Sequence, residues 1–157
     1  MRIAGEHWVL TLALRDGAEA PYPTPLFYAL IEPQTIGSHA APLLVFASNP
    51  SSHHGRLAGT GPTAACAAVY LETESVGELR GAQLRGALVR DDRLSKHGAA
   101  EIRARYLARH RVAEPMLARG DHRPYALLVT WAKLTDNRLG FGAHPEARFA
   151  PDWSELA

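Results

Sequence analysis

Cysteine and long apolar runs are the features that this sequence most clearly lacks. Cys66 is the only cysteine, which excludes an internal disulfide and any thiolate-based zinc or iron–sulfur cluster within one chain, and is typical of a reducing cytoplasm. Crossing a bilayer takes about 18 consecutive apolar residues. The longest apolar stretches, such as 64–71, are much shorter. We therefore expect a cytoplasmic protein without a transmembrane helix.

An excess of charge of either sign is also missing. Seventeen Lys and Arg residues stand against sixteen Asp and Glu residues, so the formal net charge is +1. A protein whose affinity depends on neutralising many phosphates needs a clear basic excess. Nucleic acid is therefore not an expected partner.

The composition that is present is that of a globular protein. The 157 residues are 46% hydrophobic and 21% charged, which excludes wholesale disorder, collagen-like repeats and coiled coil and predicts one domain over 1–157. The apolar segment 8–14 also resembles the core of a secretory signal. Because it is short and follows Glu6 and His7, we favour a β-strand there.

Apolar segments rich in strand formers dominate the chain. They predict strands over 8–14, Tyr22–Ile31, 42–47, 63–73, 79–90 and 125–134, with a last ribbon within 138–149. Asp16-Gly17 favours a hairpin between the first two strands. Pro21, Pro23 and Pro25 lack backbone donors and confine the first half of the second strand to an edge or to irregular pairing.

Few helices are predicted. Ser52 is a candidate N-cap for a helix of one or two turns over His53–Ala58, apolar residues recur at helical spacing over Lys96–Arg109, and a shorter turn covers 114–118. Strands and helices do not alternate regularly. The pattern therefore predicts a mainly β fold, a six- to seven-stranded antiparallel barrel with peripheral helices.

The segment 48–57 carries most of the functional information. It reads Ser-Asn-Pro-Ser-Ser-His-His-Gly-Arg-Leu and runs from the end of a strand into a helix. Hydroxyls, imidazoles and a guanidinium beside the free amides of a helix start can stabilise an anion such as phosphate. A capped surface helix with solvated side chains has the same residues, so the segment alone leaves both interpretations open.

Three segments resemble a known family. The stretches 22–30, 44–54 and 80–86 are similar to the second strand, the phosphate-binding strand and turn, and the following strand of flavin-binding split-barrel proteins related to pyridoxamine 5'-phosphate oxidase. The segment 135–142, Thr-Asp-Asn-Arg-Leu-Gly-Phe-Gly, resembles the C-terminal signature of the YhbP-like branch of that superfamily. The similarity extends from about His7 to Phe149.

The resemblance implies a homodimer with two clefts at its interface, each holding one FMN between strands of both subunits. It assigns phosphate binding to the side chains of the strand–helix turn, namely Ser48, Ser52, His53 and Arg56. It places Thr24, Leu26 and Phe27 along the isoalloxazine ring. Gln83 is expected to contact the polar groups of the cofactor.

His53 stands where many flavin-binding relatives have Arg or Lys. Only the imidazolium form supplies a full positive charge. We therefore expect FMN affinity to decline as the pH rises from about 6 to 8.

The implied function is electron transfer from a nicotinamide or another small donor by an FMN-dependent oxidoreductase. The flavin ring would carry the electron chemistry, so no catalytic acid or base is required. Two alternatives stay open. The barrel could bind or sense flavin, haem or another planar ligand without catalysis, or it could be a cofactor-free dimer.

Other reactive side chains have simpler interpretations. Adjacent His53 and His54 diverge in direction and have no nearby carboxylate in sequence, so no metal site is expected. Cys66 lies among alanines and is predicted to be an inert packing residue on a buried strand. The arginines of the long helix are predicted to form a solvated face, with Glu101 as a partner.

Overall fold

Seven β-strands and four α-helices make up the described part of the chain. The computed structural model describes residues 2–32, 41–142 and 144–150. The strands are β1 (Val9–Leu14), β2 (Tyr22–Ile31), β3 (Leu43–Ser48), β4 (Thr63–Tyr70), β5 (Arg80–Arg90), β6 (Arg123–Asp136) and β7 (Glu146–Arg148). The helices are α1 (Arg2–Glu6), α2 (His53–Ala58), α3 (Lys96–Arg109) and α4 (Glu114–Arg119).

Six of these strands close into one antiparallel barrel. Neighbouring strands pair in the order β1, β2, β3, β6, β5, β4 and back to β1, and β7 adds a short seventh strand along β6. The predicted fold class, a mainly β antiparallel barrel of six to seven strands with peripheral helices, is confirmed.

β6 closes the barrel because it is long enough to pair with several strands. Its first part pairs with β3, from Arg123 opposite Ser48 to Leu128 opposite Leu43. β5 pairs with β6 as far as Asp136. The apolar pattern predicted only 125–134 for this strand. The extra residues are proline or polar, and their pairing with β3 and β5 extends the strand beyond its apolar part.

The barrel interior is filled by alternate residues of the strands. Leu10, Leu12 and Leu14 of β1 are at most 1% exposed, and the rings of Phe46 and Tyr125 stack across β3 and β6 with centroids 5.5 Å apart. Burying a large aliphatic side chain contributes about 1.5–3 kcal/mol. The period of two in these strands therefore specifies which face lies inside.

The first half of β2 leaves one edge of the barrel open. β1 pairs with β2 from Tyr22 to Phe27, whereas β3 pairs with β2 only from Tyr28 onward. Pro23 and Pro25 lie in this half-paired stretch, as expected for residues that cannot donate to a second ladder. The open edge ends where the chain leaves β3 for α2.

The arginines of α3 do more than form a solvated face. Arg105 pairs with Glu101 at 2.7 Å as expected, but Arg109 donates to the carbonyls of Gly5 and His7 at 3.1 and 2.6 Å. Arg103 donates to the carbonyl of Leu117 in α4 at 3.3 Å. These long-range contacts join α1 and α4 to α3, and α1 had no signal of its own in the sequence.

Cys66 is exposed, which contradicts its prediction as a buried packing residue. β4 alternates between buried and outward residues, and Cys66 lies on the outward set with Ala64 and Tyr70. Because these outward residues are mostly small and apolar, the sequence resembled that of a strand buried on both faces.

None of the helices within the described ranges is long and apolar enough to cross a membrane. In the same ranges, no group of three or more His, Cys, Asp or Glu side chains is placed to hold a metal ion.

Candidate functional site

The turn between β3 and α2 is held by its own polar side chains. Ser52 caps α2, because its Oγ accepts a hydrogen bond from the Gly55 amide at 3.1 Å and donates to the Asn49 carbonyl at 2.7 Å. Asn49 Oδ1 in turn accepts from the Ser51 amide at 2.8 Å. The sequence therefore fixes this turn locally, by an N-cap and an Asx-type contact.

Gly55 lets the first turn of α2 lie directly on the loop that precedes it. A Cβ at this position would come within 2.4 Å of the Asn49 carbonyl oxygen and 2.8 Å of the Pro50 carbonyl oxygen. Real Cβ atoms do not approach backbone so closely. The tight turn requires glycine here because of this close approach.

Ser48 and His54 form the buried side of the turn. A hydrogen bond of 2.5 Å joins Ser48 Oγ and His54 Nε2, and Ser48 is only 5% exposed. Burial first, and then the charge of neighbouring His53, lowers the pKa of His54 from its ordinary value. A neutral His54 positions the Ser48 hydroxyl without adding positive charge.

His53 and Arg56 form the outer side of the turn. His53 Nε2 lies 2.6 Å from Asp16 Oδ2, and His53 Nδ1 lies 3.4 Å from Arg56 Nη2. Arg56 also donates to the Ser51 carbonyl. The Tyr22 ring meets the imidazole edge-on, with centroids 4.5 Å apart. The turn thus carries two potential cations and one carboxylate.

The donor chemistry of this turn fits a phosphate group. Ser48 and Ser52 bring hydroxyl oxygens, His53 brings ring nitrogens, and Arg56 brings guanidinium N–H donors that form charge-assisted hydrogen bonds. The structure brings all four of these predicted residues together. It also adds Asp16, a negative group that the sequence prediction did not include.

β2 presents Thr24 and Leu26 on one face and Phe27 on the other. Thr24 pairs with Leu12 and Leu26 pairs with Leu10, both inward residues. The Thr24 hydroxyl is buried and has no hydrogen-bond partner. A buried hydroxyl without a partner is an exception among folded proteins, and a bound ligand or an ordered water is the usual reason for one.

Phe27 points to the outside of the barrel. It is 59% exposed, and its ring contacts His110 with a centroid distance of 5.6 Å. His110 itself is held by a hydrogen bond of 2.8 Å to the Tyr28 carbonyl. Phe27 therefore does not share a surface with the side chains of Thr24 and Leu26, although the three residues are neighbours in sequence.

Gln83 lies on the outer face of β5, away from the turn. It is exposed and pairs with Ala68 on β4 and Lys133 on β6. Three strand spacings separate β5 from β2 through β4 and β1, which amounts to about 14 Å. One chain does not bring Gln83 to the cluster at the turn.

The surface around Gln83 is a set of shallow grooves that we call the outer face. Its lining comes from outward residues of β1, β4, β5 and β6, namely Thr11, Ala13, Cys66, Ala68, Gln83, Arg85 and Trp131. The Arg85 guanidinium covers the Trp131 ring at 4.7 Å. The outer face is thus largely apolar, with a cation–π pair at one side.

Sequence reasoning missed Asp16 and the outer face. Asp16 was interpreted only as a hairpin residue because of Gly17, and its contact with His53 spans 37 positions. The outer face had no clear signal in the sequence, because the outward residues Ala64, Cys66 and Ala68 of β4 are as small and apolar as its buried ones.

The order of strand pairing, the open edge of β2 and the polar turn after β3 define a split barrel. No family model matches the sequence, and no curated protein matches it. Solved structures do resemble it. A haem-binding protein from Mycobacterium smegmatis is 20% identical with a TM-score of 0.73, over 93% of this chain and 55% of that one.

Two further solved structures share this fold over most of their length. A FAD-binding protein from Mesorhizobium loti is 15% identical, with a TM-score of 0.60 over 83% of this chain and 87% of that one. A Clostridium acetobutylicum protein of the pyridoxinephosphate oxidase family, related to general stress protein 26 of B. subtilis, is 9% identical, with a TM-score of 0.61 over 94% and 89%.

These likenesses show the fold. The chain has the same split-barrel fold as these proteins, and this is the fold that the resemblance predicted. It spans little more than half of the Mycobacterium smegmatis protein, 55%. Its assignment to the YhbP-like branch stays a prediction.

Proposed function

We propose that residues 1–157 form a single FMN-binding domain, that two copies make a cytoplasmic homodimer with two FMN clefts, and that this dimer is an FMN-dependent oxidoreductase. One observation carries the proposal. The hydroxyl, imidazole and guanidinium groups of the β3–α2 turn lie beside the strand edge that β3 leaves open. With the FMN phosphate bound at the turn, the planar ring of the same molecule would lie along β2.

The residues of this chain have distinct roles in the proposed site. The phosphate would be held by Ser48, Ser52, His53 and Arg56, through hydrogen bonds of which the charge-assisted ones contribute about 1.5–3 kcal/mol each. The isoalloxazine ring supplies hydride and electron chemistry when bound. The protein then needs only to orient the ring and the electron donor, a reduced nicotinamide or another small molecule, and to exclude water.

β2 supplies the polar and apolar contacts for the ring. The orphaned Thr24 hydroxyl would pair with a polar edge of the ring, and Leu26, which packs against the core, would contact its apolar part. Phe27 would contribute through its backbone, because its side chain faces His110 on the other side of the strand.

The second subunit supplies Gln83 in this proposal. Since Gln83 lies three strands from β2 within one chain, its predicted contact with the cofactor requires a partner copy. The outer face that surrounds Gln83 supports such a partner, because it exposes apolar groups that a second barrel would cover. Tyr70, 57% exposed, continues this surface at one end.

The test combines colour with turnover. Purified protein loaded with FMN should be yellow and should lose its flavin absorbance when a reduced nicotinamide is added without oxygen. Loaded protein that stays oxidised contradicts the oxidoreductase function. Protein that is colourless, releases no flavin on denaturation and does not bind added FMN contradicts the cofactor assignment as well.

A second candidate function is a barrel that binds flavin, haem or another planar ligand without catalysis. The internal pairing of His53 with Asp16 and Arg56 favours it, because a ligand without phosphate would leave these contacts intact. The Mycobacterium smegmatis protein of the same fold is described as haem-binding. Titration with haemin distinguishes this candidate, since a Soret shift would appear without flavin uptake; a dimer that binds neither ligand is the cofactor-free alternative.

A further inference from the structure

Asp16 is held against the phosphate candidates by the hairpin that carries it. The β1–β2 connection turns at Gly17, whose φ of 56° is in the left-handed region. The Asp16 carbonyl accepts from the Glu19 amide at 2.9 Å, and Arg15 Nε donates to the Gly17 carbonyl at 3.1 Å. These contacts fix the hairpin, so the Asp16 side chain is presented to α2 by an ordered loop.

His53 has both ring nitrogens engaged as a result. With a proton on Nε2, the imidazole donates to Asp16 Oδ2 at 2.6 Å, and its free Nδ1 accepts from Arg56 Nη2 at 3.4 Å. One tautomer satisfies both contacts. The three side chains therefore form a chain from carboxylate to imidazole to guanidinium, in which no N–H of His53 is left for a ligand.

We propose that Asp16 determines the affinity of this site for phosphorylated ligands, a proposal that rests on the FMN site described above. The Asp16 carboxylate takes the position on His53 that a phosphate oxygen would occupy. A phosphate that binds at the turn must displace it and then lies beside a like charge. The site therefore discriminates weakly between FMN and riboflavin, and it releases FMN readily.

Replacing Asp16 by Asn tests this directly. Asp16→Asn keeps the size of the side chain and a carbonyl that can accept from His53, but it removes the negative charge. We expect Asp16→Asn to bind FMN about tenfold more tightly than the natural chain, with riboflavin affinity unchanged. Fluorescence titrations with FMN and with riboflavin measure the two dissociation constants.

Asp121→Asn is the matched control. Asp121 forms an exposed ion pair with Arg119, and its substitution changes the net charge by the same amount. Asp16→Ala, which cannot accept from His53, should shift FMN affinity in the same direction as Asp16→Asn. If Asp121→Asn tightens FMN binding equally, or if either Asp16 variant binds FMN as weakly as the natural chain or more weakly, the proposal is overturned.

The outcomes separate this inference from the proposed function. Natural protein that binds FMN, with Asp16→Asn unchanged, overturns the role of Asp16 alone. Absence of FMN and riboflavin binding in the natural protein and in both Asp16 variants, all with unchanged melting temperatures, overturns the FMN site itself and the role of Asp16 with it. Equal tightening for FMN and riboflavin overturns the assignment of Asp16 to the phosphate.

Discussion

At the scale of single residues, Ser48 and His54 link the geometry of the turn to pH. Their hydrogen bond is 2.5 Å long, and burial keeps the pKa of His54 below the ordinary histidine value of 6.5. The unfolded chain therefore binds a proton at a pH where folded His54 does not. Stability must then fall as the pH drops below the unfolded value.

We expect urea unfolding to show this loss. Between about pH 7 and pH 5 the midpoint of the natural protein should move to lower urea, and the move should be smaller in His54→Gln, which has no titrating ring. His7, whose pKa burial also lowers, remains in both proteins and accounts for the residual loss. An equal shift in the two proteins would show that His54 is not the responsible group.

The role of Asp16 is a residue-scale feature that no sequence pattern predicted. The β3–α2 turn could be interpreted as an anion site because its donors lie within nine positions of one another, from Ser48 to Arg56. The carboxylate that pairs with His53 comes from a different hairpin. That contact exists only once β1, β2 and α2 are brought together by the closed barrel.

At the scale of elements, two helices begin with the same cap and differ in where they lie. Ser52 caps α2 and Ser95 caps α3, and each Oγ accepts from the amide three residues later at 3.1 Å. Only Ser52 belongs to the candidate site. Comparing the two serines therefore distinguishes the effect of a helix cap on stability from its effect on ligand binding.

Ser52→Ala and Ser95→Ala should each lower the free energy of unfolding by about 1 kcal/mol, because each leaves a helix amide without its partner. Only Ser52→Ala should also weaken FMN binding, since it alone alters the turn. Denaturant unfolding and FMN titration of both variants test this. Equal FMN affinity in the two variants would remove Ser52 from the site.

The pairing of β5 with β6 contains one very close backbone approach, at Gly86. The register shifts between Arg85 and Gly86, and a Cβ at Gly86 would lie 1.9 Å from the Leu128 carbonyl oxygen. A glycine is required here because the two backbones approach directly, and the barrel could not keep its curvature with a larger residue.

Gly86→Ala should therefore destabilise the protein by about 3 kcal/mol. Gly77→Ala is its control, because the nearest atom to a Cβ there is Ser75 Oγ at 3.9 Å. Thermal unfolding compares the two variants. If Gly86→Ala melts at the same temperature as Gly77→Ala, the backbone approach described for β5 and β6 is wrong.

Local sequence signals explain which elements could be predicted and which could not. β2, α2 and α3 occur at the predicted boundaries, because proline, cap residues and apolar periodicity are local signals. α1 and the ends of β6 were not predicted, since α1 is held by Arg109 and β6 by its pairing with two strands. Those contacts are not encoded in any short segment.

At the scale of the whole molecule, the proposed site requires two copies of the chain. The outer face and Gln83 lie on one side of the barrel, whereas the turn and the edge of β2 lie three strands away. Because of this separation, the site residues that the resemblance assigned do not all lie together within one chain.

Ala68→Glu should disrupt the proposed dimer. Ala68 lines two of the grooves on the outer face, and a carboxylate buried there between two apolar surfaces would be costly. Ala108→Glu, on the exposed side of α3, is the control and should remain dimeric. Light scattering after gel filtration distinguishes a dimer from a chain of 17.1 kDa. A dimeric Ala68→Glu would place the interface elsewhere.

A native mass spectrum of the purified protein with added FMN reports subunit assembly and cofactor binding together. We expect a species of two chains, each of 17.1 kDa, with two FMN molecules. A monomer without FMN, or a dimer to which FMN does not add, would contradict it.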